Sequence, residues 1–123
     1  MTDRTGPLPE IRFSTSKHVS RHDVERAREV FTRVLAHAPE PVLAVQVTLS
    51  VLTDPAAKNP SMASIRVDLN GRPVNAHAAA PAMGQAIAMT GDRLRIRLER
   101  MARHWEARRD RALRSLPRQA QSA

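Results

Sequence analysis

The stretch that most constrains the fold covers residues 81–111, where apolar side chains recur every three or four positions. On a helical wheel with 3.6 residues per turn, these side chains and one threonine fall within roughly 40° of Leu94. The stripe they form consists of Met83, Ile87, Thr90, Leu98, Met101 and Trp105. The pattern predicts one long helix that docks on a core. Gly84 and Gly91 interrupt the run of helix-forming residues, and each costs up to about 1 kcal/mol relative to alanine, so we expect the first half of this helix to be soft until it binds a partner.

The charged residues of this helix are sorted onto two flanks of the stripe. One flank carries Arg93, Arg97, Arg100, His104 and Arg111. The other carries Asp92, Glu99 and Glu106. Like charges one turn apart repel by a few tenths of a kcal/mol per pair, so a row of cations is mildly unfavourable unless an anion neutralises it. The alternative is a solvated face with ordinary ion pairs along the helix, but the sorting favours binding of a polyanion.

Composition limits the classes of protein that this chain can belong to. The 123 residues form one domain, with a hydrophobic content of 41% and few aromatic side chains. The net charge of +8 favours an acidic partner, nucleic acid before an anionic membrane. The sequence contains no cysteine, which excludes disulfides and thiolate sites. It also lacks an apolar run resembling a signal peptide or a membrane span, so we expect a soluble cytoplasmic protein without a membrane partner.

The remaining pattern predicts four strands and a second helix. Alternating residues predict strands over 10–15, 42–52, 62–69 and 72–79. In the second strand we expect Leu43 to face the core together with Val45 and Val47. Asn70-Gly71 is a strong hairpin signal, and Ser20 with Asp23 marks the start of a helix that runs to about Ala38.

The order βαβββα predicts an α+β fold, a four-stranded sheet with two helices packed side by side on one face. Both helices carry basic side chains beside their apolar faces, and we expect their outer margins to form one basic surface. We expect a flexible N-terminus over residues 1–9, the folded domain over 10–111 and a flexible tail over 112–123.

Catalytic chemistry finds little support in the sequence. There is no glycine-rich phosphate loop and no nucleophile–base pair, and His18 and His22 lack an acidic third metal ligand. We therefore expect no enzymatic activity, cofactor, metal or small-molecule substrate. Trp105 either closes the core at the end of the helix or stacks on a base if the helix overhangs the sheet. Met89 and Ile96 are either scattered surface residues or a small contact patch.

The ordered set of motifs resembles the ribosome hibernation-promoting factor family, also called ribosome-associated inhibitor or sigma-54 modulation proteins. The resemblance covers residues 10–110. Ser16-Lys17 stands between the first strand and the capped helix, and residues 67–74 form the VDLNGRPV hairpin. RLRIRLER at residues 93–100 leads into HWEARR at 104–109.

The resemblance implies a non-catalytic protein that binds rRNA of the small ribosomal subunit. Such proteins occupy the mRNA and tRNA path and silence translation in stationary or stressed cells. The RNA-binding residues it implies are Lys17, Arg21, Arg28, Arg93, Arg97, Arg100, Arg108 and Arg109. Long members carry a C-terminal dimerising module; this chain ends at Ala123 without one, and we expect a monomer. The alternative is a protein-interaction module that regulates transcription through the outer sheet face or Met89 and Ile96.

Overall fold

The computed structural model describes residues 8–114, and the predictions for residues 1–7 and 115–123 lie outside the described residues. Six elements follow in the predicted order, which confirms the α+β fold. They are β1 (Ile11–Thr15), α1 (Arg21–Leu35), β2 (Val42–Val51), β3 (Ser61–Leu69), β4 (Arg72–Ala80) and α2 (Met83–Arg114). Helix α2 runs three residues past its predicted end at Arg111, into the segment predicted to be a flexible tail.

The four strands form one sheet in the order β1-β2-β3-β4. β1 lies parallel to β2, and the remaining neighbours are antiparallel. The β3–β4 hairpin turns at Asn70 and Gly71, whose φ angles of 53° and 92° are the left-handed conformations that the sequence predicted there. The Gly71 amide donates a hydrogen bond to Oδ1 of Asp68 at 2.8 Å, which closes the turn.

One face of the sheet is covered by the two helices and holds the core. Phe31 of α1 and Leu94 of α2 are fully buried there, above aliphatic side chains of the strands. On β4 the buried positions are mostly alanine, including Ala76, Ala78 and Ala80. Because alanine is small, the backbone of α2 can lie close to this strand. The hydroxyl of Thr90 also connects the helix to the sheet through a 3.1 Å hydrogen bond to the carbonyl oxygen of Ala63 on β3.

The prediction for Leu43 is wrong. Val42 pairs with Leu69 and Ala44 pairs with Asp68, which leaves Leu43 as an extra residue in a β-bulge. A bulge shifts the alternation of side chains by one position. Leu43 is consequently 55% exposed, whereas Val42 is buried.

The predicted long helix is confirmed, and α2 runs through both glycines without a break from Met83 to Arg114. Gly91 is buried where α2 meets α1. A Cβ atom at this position would lie 2.8 Å from Cγ1 of Val30 and 3.9 Å from Cγ2 of Val34. The absence of a side chain at Gly91 therefore allows the two helices to pack side by side at this contact.

Candidate nucleic-acid interface

The outer flank of α2 carries three exposed arginines, Arg93, Arg97 and Arg100, which we call the basic row. They are spaced four and three residues apart, so they lie on one side of the helix over two turns. Nη1 of Arg93 donates a 2.7 Å hydrogen bond to the carbonyl oxygen of His77. His77 belongs to β4, which forms one edge of the sheet. This contact places the basic row along the β4 edge.

A groove of about 230 Å³ separates this part of α2 from β4. All three arginines of the basic row line it, together with Asn75 and His77 of the strand and Ile96 of the helix. Guanidinium groups and an amide along an open groove supply many hydrogen-bond donors to a phosphate backbone. Regular secondary structure on both sides of the groove fixes the backbone positions of these residues, and the hydrogen bond to His77 also holds the Arg93 side chain.

The carboxylates of α2 lie away from the basic row. Arg95, on the opposite flank, lies 3.9 Å from Asp92 and 3.2 Å from Glu99. Within residues 8–114, no carboxylate forms an ion pair with any arginine of the basic row. The basic row therefore presents positive charge that no neighbouring acid neutralises.

The predicted residues near the first helix form a second group, the α1 margin, which consists of Lys17, Arg21 and Arg28. The helix begins behind a capping box: Oγ of Ser20 accepts from the Asp23 amide at 3.1 Å, and the Ser20 amide donates to Oδ2 of Asp23 at 3.3 Å. This cap fixes where the turn carrying Lys17 ends and where the helix carrying the two arginines begins.

Arg28 differs from the arginines of the basic row because it contacts a carboxylate and an aromatic ring. Its Nε lies 3.7 Å from Oε1 of Glu25, and its guanidinium carbon lies 5.0 Å from the ring centre of Phe13 on β1. β1 is the sheet edge opposite β4. The two groups of basic residues therefore lie at opposite edges of the sheet, on the outer sides of the two helices. That they belong to one basic surface stays a prediction.

The distal part of α2 carries the last two predicted residues. Arg108 is exposed, and its guanidinium carbon lies 5.8 Å from the ring centre of Trp105. Arg109 is also exposed but lies about 120° around the helix from Arg97, on the flank that faces away from the basic row. The structure thus groups Arg108 with Trp105 and separates Arg109 from the basic row.

Sequence reasoning did not select Arg72 as a binding residue. This exposed side chain begins β4, directly after the hairpin turn, and its guanidinium carbon lies 4.5 Å from the ring centre of Trp105. Arg72 and Trp105 are 33 positions apart in sequence, so no local periodicity connects them. Trp105 itself is half-buried between these arginines, so it neither closes the core completely nor presents a bare face to solvent.

Other kinds of site find no support in the part of the chain that the structure describes. Over residues 8–114 no three histidine, aspartate or glutamate side chains are grouped so that they could hold a metal ion. No helix in that range is both long enough and apolar enough to cross a membrane. Met89 and Ile96 are 38% and 40% exposed, and Ile96 belongs to the groove beside the basic row.

Comparison with solved structures finds the same fold in a ribosomal subunit interface protein and in a domain of Protein Y. No protein-family model matches the sequence, and no curated protein is detectably similar to it. A ribosomal subunit interface protein from Coxiella burnetii is 16% identical and superposes with a TM-score of 0.59, over 74% of this chain and 94% of that chain. The N-terminal domain of Protein Y from Thermus thermophilus is 20% identical, with a TM-score of 0.60 over 77% and 99% of the two chains. The chain therefore has the fold that the resemblance to the hibernation-promoting factor family implied.

Proposed function

We propose that this chain binds the small ribosomal subunit through the basic row of α2, occupies the mRNA and tRNA path and silences translation in stationary or stressed cells. The observation that carries the proposal is the basic row itself: three exposed arginines without carboxylate partners in the described part of the chain, at one sheet edge. The fold shared with a ribosomal subunit interface protein supports the choice of partner. This role places the protein in the cytoplasm.

The mechanism is occupancy and requires no chemical step. Guanidinium groups bind phosphate oxygens through paired, charge-assisted hydrogen bonds, and each contact releases counterions from the RNA. The packing of α2 on the sheet holds the helix in one position, so little order is lost when it binds. A folded domain seated on rRNA in this way excludes mRNA and tRNA by volume.

The Arg108 side chain extends the same surface towards the end of α2, and we assign it a supporting role. Lys17 and Arg21 on the α1 margin supply longer-range attraction from the opposite edge. Arg28 contributes less, because binding a phosphate competes with its contacts to Glu25 and Phe13. Arg109 faces away from the basic row, and we give it the weakest contribution among the family-implied residues.

Cosedimentation with purified small subunits tests the proposal. Reversal of the basic row, with all three arginines changed to glutamate, is expected to abolish cosedimentation and leave the circular dichroism spectrum unchanged. The matched control changes Arg12, Lys58 and Arg66 to glutamate; these cations are exposed on the open sheet face and in the β2–β3 loop. Both variants change the net charge equally. Equal binding by the two variants would refute the assignment to α2.

Occupancy is tested separately by competition. Small subunits carrying mRNA and initiator tRNA are expected to exclude the chain, and the chain is expected to inhibit translation in a purified system in proportion to the fraction of subunits bound. Simultaneous binding of tRNA and the chain would show that the chain binds elsewhere on the subunit.

A further inference from the structure

Arg72, Trp105 and Arg108 form a cluster at the end of the domain where the hairpin meets α2, which we call the Trp105 cluster. The two guanidinium carbons lie 4.5 Å and 5.8 Å from the centre of the indole ring. Both distances are within the range of attractive cation–π contacts. The indole thus holds two cations close together at one point of the surface.

The Trp105 cluster lacks an anion and a hydrogen-bond acceptor. In the described part of the chain, no carboxylate forms an ion pair with Arg72 or Arg108. Nε1 of Trp105 is the one buried side-chain nitrogen or oxygen within this range that has no hydrogen-bond partner. Two gathered cations repel each other, and a buried donor without an acceptor is unfavourable. An anionic ligand bound between the two exposed guanidinium groups would relieve their repulsion.

The position of the cluster leaves room for such a ligand. Arg72 lies at the start of β4, and α2 continues past Trp105 through residues 106–114, about 14 Å beyond this end of the sheet. Both arginine side chains are exposed.

We propose that the Trp105 cluster is a contact site for an unpaired nucleotide of RNA. The two guanidinium groups pair with the phosphate, while the base stacks on the cluster, either on an exposed guanidinium or on the indole after Arg72 swings aside. Arginine planes and indole rings both stack on unpaired bases, which a duplex does not offer. When the base stacks on the guanidinium, the indole holds Arg72 in place, and a guanidinium held over an aromatic ring loses less freedom on binding.

This inference rests on the proposed function, since it adds a nucleotide contact to the same RNA-binding surface. Arg108 lies eleven positions after Arg97, about 16 Å further along the helix axis. The basic row would therefore hold phosphates along the β4 edge, while the Trp105 cluster selects for RNA that is single-stranded at the distal end.

Trp105 is the only tryptophan in the chain, so its fluorescence reports on the cluster directly. We would titrate the full chain with a 12-nucleotide adenine-rich RNA and, as a matched ligand, with a 12-base-pair RNA duplex. The single strand is expected to quench Trp105 emission, and the duplex is expected to change it little. Stern–Volmer quenching by acrylamide should also fall when the single strand is bound.

Two variants separate binding from a structural role. Trp105→Phe and Arg72→Gln are each expected to weaken single-strand binding about tenfold, measured by anisotropy of a labelled oligonucleotide. Arg66→Gln removes an exposed arginine from the open sheet face and is expected to leave the affinity within twofold. Urea unfolding of each variant identifies any loss of stability, and Arg72→Gln keeps the test valid if Trp105→Phe unfolds.

The outcomes distinguish this inference from the proposed function. Unchanged Trp105 emission, with wild-type affinity in both variants, would show that the cluster only fastens the hairpin to α2 and would overturn the inference. If small subunits still bind through the basic row in that case, the proposed function stands. If the wild-type chain binds neither the oligonucleotide nor the small subunit, both fail.

Discussion

The basic row and the α1 margin contain the same kinds of residue and differ in their surroundings. The basic row lies along the β4 edge, where its arginines meet a strand carbonyl, a groove and solvent. In the α1 margin, Arg28 lies 3.7 Å from Glu25 and over the ring of Phe13 on the opposite edge. In the described part of the chain, no carboxylate forms an ion pair with the basic row, whereas Glu25 pairs with Arg28 in the α1 margin.

This difference indicates where binding energy is concentrated. A phosphate that approaches Arg28 competes with a carboxylate and an aromatic ring already in contact with it. A phosphate that approaches Arg97 displaces only water and relieves repulsion between neighbouring arginines. Each margin has three exposed basic residues, so a count of cations would rank the two alike. Their contacts rank the basic row first.

The largest expected effect comes from equal charge reversals at the two margins. Arg93 and Arg97 changed together to glutamate should lower the affinity for small subunits at least about 100-fold, because two charge-assisted contacts are lost. The same change at Arg21 and Arg28 should lower it only about tenfold. Quantitative cosedimentation at fixed salt measures both. A larger loss of affinity in the Arg21 and Arg28 variant would show that the α1 margin, and not the basic row, contributes more to binding.

The next effect concerns the helix contact that holds the two margins at their present separation. Gly91→Ala places a methyl group against Cγ1 of Val30, a stiff β-branched side chain, and should lower the free energy of unfolding by about 1–2 kcal/mol. Gly84→Ala is the matched control, since its nearest neighbour, Nε of Arg26, lies at an ordinary 3.8 Å. This variant should gain up to about 1 kcal/mol. Urea denaturation measures both free energies of unfolding. Equal values for Gly91→Ala and Gly84→Ala would contradict the close helix contact at Gly91.

A smaller effect is expected in the dependence of binding on salt. Arg97→Gln should reduce the slope of log affinity against log salt by about 1, as expected for one lost phosphate contact. Arg28→Gln should reduce it by less than half of that amount. Binding measured between 50 and 200 mM salt (on the order of a threefold change in affinity per contact) tests this. Equal slopes for the two variants would show that both arginines contact phosphate equally.

The smallest effect is on the stability of the free protein. Arg28→Gln should lower the free energy of unfolding by about 0.5 kcal/mol, because it removes a cation–π contact and an exposed ion pair. Arg97→Gln should leave it unchanged or raise it slightly, since repulsion within the basic row falls. Thermal unfolding in low salt compares the two. A larger loss for Arg97→Gln would mean that the basic row supports the fold.

The sequence predicted the strands and helices because each depends on neighbours two to four positions away. Alternation located the strands, and Asn70-Gly71 located the hairpin. The same local rules failed at Leu43, because the bulge depends on pairing with β3 and cannot be recognised from the alternation of apolar and polar residues. They also gave no sign of the close helix contact at Gly91, because that contact depends on a side chain of α1.

The candidate site was also predictable only in part, for the residues whose arrangement depends on helical spacing. Helical spacing placed Arg93, Arg97 and Arg100 on one flank, and the structure has them there. It gave no information on what Arg28 contacts, since Phe13 belongs to another element. Arg72 was not predicted as a binding residue, because the hairpin lies next to Trp105 only in the folded chain.

The central claim, that the α2 flank rather than the open sheet face contacts rRNA, is tested most directly by tethered cleavage. The chain contains no cysteine, so one introduced cysteine provides a unique attachment point for iron–EDTA. Met89 lies one turn before Arg93 on α2, and Thr48 is exposed on the open face of β2. With both labelled variants bound to small subunits, the account predicts strong rRNA cleavage from Met89→Cys and little from Thr48→Cys. Strong cleavage from position 48 and none from position 89 would contradict it.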